Sequence, residues 1–421
     1  MENKHIIVDL GSSRISLMAT EITTDGAVRI LSEESKKTSD VRYGVVEQAS
    51  NAAYSINELS RLLKNSARLT DINTVGISIN AKTMKQIPVQ ISRAIGFGRV
   101  VTESMLQEMK DECESKVRKQ EVDVFEIIPL EYELDGKVVD EPANMRGSEL
   151  VITFNVIIGS IFIKQELRRC FDRTTSIKLE GYTPIAMEAL SIVLLDDSDR
   201  ENGCALINFG ATTTTLAIYA GGVLQELLVV PLGGKNITKD IQELGISEEN
   251  AERLKCLKGS ALESFITDPV KIKIPLAESP GETITVESNF LSTIIEARLT
   301  ELMMPVFAAL RDTEFILNAG IVITGGASKL NNMIEFLQEK TEMEVRYGNH
   351  ADWLSDDTDE RFFDPQYSQS IGTALLINEY LIENPEPVKN TGKGKNKNEE
   401  IDTKKKFTEK MADKFLRLFD D

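Results

Sequence analysis

Gly11, Ser12 and Ser13 lie between two apolar runs, Ile6–Leu10 and Ile15–Ile22. A strand–turn–strand unit of this composition presents backbone N–H groups and hydroxyls at its tip, which is the chemistry of a phosphate cradle. The same arrangement returns in the second half of the chain, where Gly210, Ala211, Thr212 and Thr213 follow Ile207-Asn-Phe209. Asp9 stands at the end of the first strand, where a carboxylate can hold a magnesium-bound water. A third segment, Gly320–Leu330, reads as a strand, a double glycine and a helix start. Gly325 and Gly326 would let a flat base or ribose come close to the backbone, with Ser328 next to them.

The elements that must hold these residues alternate between strand and helix, so the fold class is α/β. Helical spacing covers residues 49–66, and Val75–Ile79 returns as a strand. Residues 82–162 have a character of their own: a helix at about 102–118, a strand Val124–Leu134, an Asp135-Gly136 turn and a strand Val151–Ile158. They are expected to form a small inserted α+β subdomain. Val8–Leu17 can be laid over Ile207–Leu216, each reading strand, polar residue, apolar residue, glycine, hydroxyl-rich turn, strand. Two related halves facing one cleft would account for the echo.

Composition narrows the functions. The 421 residues carry a net charge of −19, which argues against nucleic acid as a partner. Residues 389–421 hold ten Lys/Arg against seven Asp/Glu, a balance of +3, so −22 falls on residues 1–388. A basic tail on an acidic body implies a separate task for the tail. Cys113, Cys170, Cys204 and Cys256 show no metal spacing, and with only His5 and His350 a histidine-based triad or zinc site is not expected. Met1–His5 leads into the first strand without a signal-peptide pattern, and the uncharged stretch Gly203–Gln225 is too polar and turn-rich for a membrane span.

Two phosphate turns followed by strand–Gly-Gly–helix, in this order, resemble the superfamily of actin, heat-shock chaperones and sugar kinases, whose two lobes clamp ATP. Within it the chain is similar to the FtsA family of bacterial cell-division proteins. The residues that carry the resemblance are Pro231–Ile241, Ala251–Lys255 with Gly259, Ile294–Leu302, Gly320–Leu330 and Tyr367–Ala374. It covers about residues 5–384, and an insert near 82–162 is where that family carries its characteristic subdomain. The resemblance implies an actin-like two-lobed fold divided as first lobe 1–81 and 163–192, insert 82–162, second lobe 193–235 and 311–360, its small subdomain 236–310, and a return to the first lobe at 361–384. It implies ATP and Mg2+ as ligands, with Asp9 acting through water on the metal. Gly234, Glu252 and Lys255 would sit beside the ribose and base, although an i,i+3 surface ion pair reads Glu252 and Lys255 equally well.

The departures from the pattern concern hydrolysis. The acid usual before the second phosphate turn is Asn208, and the actin phosphate-turn lysine corresponds to Ser16. Thr183-Pro184 stands where actins and chaperones place a water-orienting Gln or Glu. Binding is expected, with hydrolysis weak or absent.

After Asn384 the sequence becomes too polar to support a core, and 385–402 reads as a disordered linker. Residues 403–421 regain helical periodicity. At ~100° per residue, Phe407, Met411, Ala412, Phe415, Leu418 and Phe419 fall within an arc of about 140°, with Lys410, Lys414 and Arg417 flanking it. Three aromatics and a Lys404–Lys406 lead-in fit a membrane-surface helix on anionic lipid. A helix docked on protein is the competing reading.

The resemblance implies a protein that polymerises on the cytoplasmic face of the inner membrane at the division site. There it would hold FtsZ near Arg298 and Glu301 and meet later division proteins through the insert. An actin-like scaffold of another envelope machine, such as pilus assembly, and a sugar or acetate kinase are the alternatives.

Overall fold

The computed structural model describes residues 4–384, apart from 70, 71, 73, 119–121, 176 and 280; the linker 385–402 and the helix expected at 403–421 lie outside the described residues. The chain opens with β1 (Lys4–Leu10), β2 (Arg14–Ile22) and β3 (Val28–Lys37), then the ribbon β4 (Val41–Arg42) and β5 (Val45–Val46). α1 (Ala49–Ser66) and β6 (Thr74–Gly76) follow. The insert contains β7 (Lys85–Val100), α2 (Glu103–Arg118), β8 (Val122–Leu134), β9 (Lys137–Val139) and β10 (Arg146–Ser160). Then come α3 (Phe162–Phe171), β11 (Lys178–Leu179), α4 (Ala186–Leu194) and α5 (Asp197–Asn202).

The second lobe begins with β12 (Cys204–Phe209), β13 (Thr214–Ala220) and β14 (Val223–Val230). It continues through α6 (Gly234–Gln242), α7 (Glu248–Lys258), the ribbon β15 (Lys271–Pro275) and β16 (Thr283–Glu287), and α8 (Ser288–Asp312). β17 (Ile321–Thr324), α9 (Met333–Thr341) and β18 (Val345–Tyr347) complete it, and α10 (Ser368–Glu383) follows.

The echo seen in the sequence is a duplicated sheet. The first lobe runs β11-β6-β1-β2-β3 and the second β18-β17-β12-β13-β14, each with three antiparallel strands and two parallel ones. The two hairpins share a register, with Asp9 opposite Ser16 and Asn208 opposite Thr215. β1 and β12 sit in mid-sheet, and their unbroken apolar runs are buried on both faces, as parallel-paired strands require. Ile6, Ile7, Ile15, Leu17, Ile56 and Leu63 anchor the first core; Ile207, Leu216, Leu299 and Phe336 anchor the second. α10 is buried on most of its surface and packs on α4 and β1, which returns the end of the described chain to the first lobe.

The insert has its own sheet, β7-β10-β8-β9, and its own core around Met109, Cys113, Leu150 and Phe154 under α2. β7 has no counterpart in the sequence reading. Pro88, Gly96 and Gly98 interrupt its alternation. The strand tolerates Pro88 because it lies at the sheet edge, where a missing N–H leaves nothing unpaired on its outer side.

A second difference follows the double glycine. Gly326–Lys329 is one 3-10 turn rather than a helix start, and α9 begins only at Met333. Leu330 is extended and Asn332 left-handed (φ 59°), a conformation asparagine tolerates, so the helix cannot run through. Among the described residues no helix is long and apolar enough to cross a membrane.

Candidate nucleotide site

The two hydroxyl-bearing turns meet. Ser12 at the tip of β1–β2 accepts a hydrogen bond from the Thr212 hydroxyl, 2.8 Å away at the tip of β12–β13. The Tyr43 amide, beyond β4, donates to Thr212 Oγ1 at 3.1 Å. The second turn is closed by a Gly210 N–H to Thr213 carbonyl bond of 2.9 Å and is clamped by α6. The amides of Gly234 and Lys235 donate to the Gly210 and Ala211 carbonyls at 3.0 and 2.8 Å. Gly11 is half-buried and Ser13 exposed, its carbonyl accepting from Thr38 N. Between the lobes, Asn80 and Thr215 exchange two hydrogen bonds of 2.9 and 3.0 Å.

Asp9 reaches this junction from the end of β1. Burial pushes its carboxyl up to about 6, against a smaller downward pull from Arg14. It accepts no hydrogen bond among the described residues. The Arg14 guanidinium carbon stands 5.3 Å from the Tyr367 ring centroid and is engaged there. A costly, unpartnered carboxylate next to polar turns suits a hydrated cation. No group of three His, Cys, Asp or Glu capable of holding a metal occurs among the described residues, so magnesium would rest mainly on phosphate and water, as it usually does.

At the end of β17, next to β12, Gly325 has φ +93°, and a Cβ there would lie 2.5 Å from both Asn208 Oδ1 and the Phe209 carbonyl. The next residue is the opposite case. A Cβ on Gly326 would meet nothing within 4 Å, so the backbone here faces open space of the kind a ring system could enter. Ser328 is buried and donates to the Gly325 carbonyl at 2.7 Å, holding the turn.

Lys255 is not the surface partner of an ion pair. It is 8% exposed and donates to Glu252 Oε2 (2.7 Å), Thr238 Oγ1 (2.9 Å) and the Gly234 carbonyl (3.0 Å), which uses its three protons and ties α7 to the start of α6. Burial works to raise the Glu252 carboxyl, but the Lys255 charge and hydrogen bonds from Lys255, Thr238 and Cys256 together hold it below its ordinary value. Of this pair Glu252, half-exposed, is the one open to a ligand.

Lys235 was not singled out by the sequence reading, yet its ammonium donates to the Ser12 carbonyl at 2.5 Å, bridging the lobes at the phosphate turns. A signal was present: a lysine in the first turn of a helix opposes the helix dipole, so something nearby must offset it. Thr183 lies next to Pro184, whose carbonyl accepts from Ile79 N at 2.9 Å. Arg298 and Glu301 are on α8, away from the turns. Arg298 pairs with both carboxylate oxygens of Asp240 on α6 and with Glu301 at 2.7 Å. Both histidines are internal: the His5 ring bonds Asn378, and His350 bonds the Phe362 carbonyl and Ser368. Phe407, Lys410, Met411, Lys414, Phe415, Arg417, Leu418 and Phe419 lie outside the described residues.

Comparison with known proteins gives the family and the fold. A family model for cell division protein FtsA matches residues 205–372, from β12 into α10. A second, for the SHS2 domain inserted in FtsA, matches residues 81–158 and so covers the insert. The chain belongs to the FtsA family. Relatives include the cell division proteins FtsA of Porphyromonas gingivalis, 28% identical over 82% of this chain and 73% of the relative, and of Bacillus subtilis, 26% identical over 87% and 82%. The FtsA of Pseudomonas aeruginosa is 24% identical over 81% and 82%.

The fold is actin-like. A chain of a PilM–PilN type IV pilus biogenesis complex superposes with a TM-score of 0.65 at 15% identity, covering 89% of this chain and 98% of that one. MreB5 of Spiroplasma citri bound to ADP gives 0.52 at 13% identity, covering 90% and 98%. The SHS2 unit here is β7–β10 with α2, set into the first lobe between β6 and α3.

Proposed function

We propose that this protein binds ATP with magnesium between its lobes, polymerises on the cytoplasmic face of the bacterial inner membrane and anchors FtsZ filaments there at the division site. The observation that carries the reading is the meeting of Ser12 and Thr212 across the two lobes, in a chain of the FtsA family. ATP would lie with its phosphates against Gly11–Ser13 and Gly210–Thr213 and its adenosine against Gly325, Gly326, Ser328, Gly234 and Glu252. Asp9 would accept from a magnesium-bound water. MreB5 of Spiroplasma citri, which shares the fold, is bound to ADP in one structure and to AMPPNP in another, and this supports nucleotide binding by the present chain. Magnesium supplies charge neutralisation of the phosphates when bound.

Hydrolysis should be slow. Thr183 carries no carboxylate or carboxamide to orient water, and Asn208 brings no charge to the second turn. FtsZ would dock on the second lobe at α8 near Arg298 and Glu301, later division proteins on the insert, and residues 403–421 on anionic lipid. Such a short helix gains roughly 0.8 kcal/mol per buried methylene and about 1 kcal/mol per nearby lysine, so attachment would be reversible and reinforced by polymerisation.

Equilibrium dialysis of ATP against the full chain, with and without magnesium, tests the site. Saturable binding at one site per chain is expected, and its absence would remove the nucleotide from this reading.

A further inference from the structure

We propose that Lys235 supplies the positive charge for the nucleotide's phosphate chain, reaching it from the second lobe in place of the first-turn lysine that is Ser16 here. This rests on the ATP reading given above and adds to it the residue that fixes affinity for the phosphates.

Three observations carry it. First, position: the Lys235 amide is bonded to Ala211 in one phosphate turn, and its ammonium to Ser12 in the other. The side chain therefore crosses the place where a phosphate chain would lie between the turns. Second, its bonding is incomplete. An ammonium has three protons. Lys255, on the neighbouring helix α7, spends all three inside the protein, whereas Lys235 has one neutral carbonyl and no carboxylate among the described residues. Third, the neighbouring cations are engaged elsewhere: Arg14 lies over Tyr367, and Arg42 and Lys82 lie over the ring of Tyr43, while Ser16 and Asn208 are neutral and Asp9 is acidic. A cation at the N-terminal turn of α6 is unfavourable against the helix dipole, and an anion lying against it reverses the sign.

On nucleotide entry the ammonium exchanges the Ser12 carbonyl for phosphate oxygens. The new hydrogen bonds are charge-assisted on both sides, hence stronger than the one replaced. Recognition by Lys235 is of phosphate charge and not of adenine.

The test is equilibrium binding of ATP, ADP and AMP to the full chain, in magnesium, for the parent, Lys235→Gln and Lys235→Arg. Removing a charge-assisted contact should weaken ATP by roughly 10- to 100-fold. The loss should shrink through ADP to AMP, and Lys235→Arg should recover most of the ATP affinity. Raising salt should weaken ATP binding by the parent more steeply than by Lys235→Gln. Unchanged ATP affinity in Lys235→Gln, beside a parent that binds, overturns the proposal and leaves the ATP reading standing. Equal losses for ATP and AMP together with a lowered Tm also overturn it, because they mark a strut between the lobes. A parent that binds none of the three nucleotides overturns both.

Discussion

Gly325 and Gly326 are neighbours with opposite expected responses to substitution. Gly325→Ala puts a Cβ 2.5 Å from two oxygens at φ +93° and should destabilise the fold by about 2 kcal/mol or more, read as a lowered Tm. Gly326→Trp meets no protein atom at its Cβ, so the fold should hold, while ATP affinity should fall at least ~30-fold because the ring fills the space proposed for adenosine. Parent-like ATP binding by a folded Gly326→Trp would remove that assignment. Asp9 gives a pH signature. Its folded pKa, about 6, lies above the ordinary carboxylate value, so ionisation costs folded-state stability as pH rises from near 4 through 6. Asp9→Asn should therefore melt above the parent at pH 7, with the gap closing toward pH 4. Magnesium-dependent ATP binding by the parent should weaken below about pH 6, where the carboxyl protonates. The two turns were legible in the sequence because a glycine, scarce in strands, interrupts an apolar run in each. Lys235 was not, because one lysine among many is distinguished only by its partner across the cleft.

At the scale of elements, helix α1 and the two phosphate hairpins follow from periodicity and composition, since each buries one continuous apolar set. β7 did not, because an edge strand broken by Pro88, Gly96 and Gly98 loses the alternation that marks a strand. The seam between insert and first lobe holds Glu126 on β8 and Glu188 on α4. Burial raises both carboxyls, the Glu188 charge further raising Glu126; Tyr182 donates to Glu188, and one Glu126 oxygen has no partner. Groups with raised carboxyl pKa values cost stability as they ionise, so the chain should lose stability as pH climbs from about 4.5, the ordinary value, to about 8. Glu126→Gln should flatten that loss in a Tm-against-pH profile. The helix expected at residues 403–421 carries its own prediction. Met411→Glu sets a carboxylate in the apolar arc, and burying it unpaired costs several kcal/mol, comparable with the whole gain of so short a helix. That variant should leave anionic liposomes while keeping ATP affinity. Continued sedimentation with liposomes like the parent would mean that residues 403–421 dock on protein instead.

The whole molecule is a duplicated sheet with one insert, and the proposed function would draw on the junction of Ser12, Thr212 and Lys235, on the α8 face with Arg298 and Glu301, and on residues 403–421. The duplication was readable because the echo of Val8–Leu17 in Ile207–Leu216 sits on the strands that set the topology. The contacts between lobes, such as Asn80 with Thr215, were not, because they pair residues far apart in sequence with no local pattern. If the C-terminal helix serves as an anchor alone, a foreign membrane anchor should replace it. The most direct test is to follow fluorescent fusions in dividing cells: the full chain, a chain ending at residue 402, and that shortened chain carrying a foreign membrane anchor. The account predicts a ring at the division site for the first and third and diffuse fluorescence for the second. A ring formed by the chain ending at 402, or diffuse fluorescence from the full chain, would contradict it.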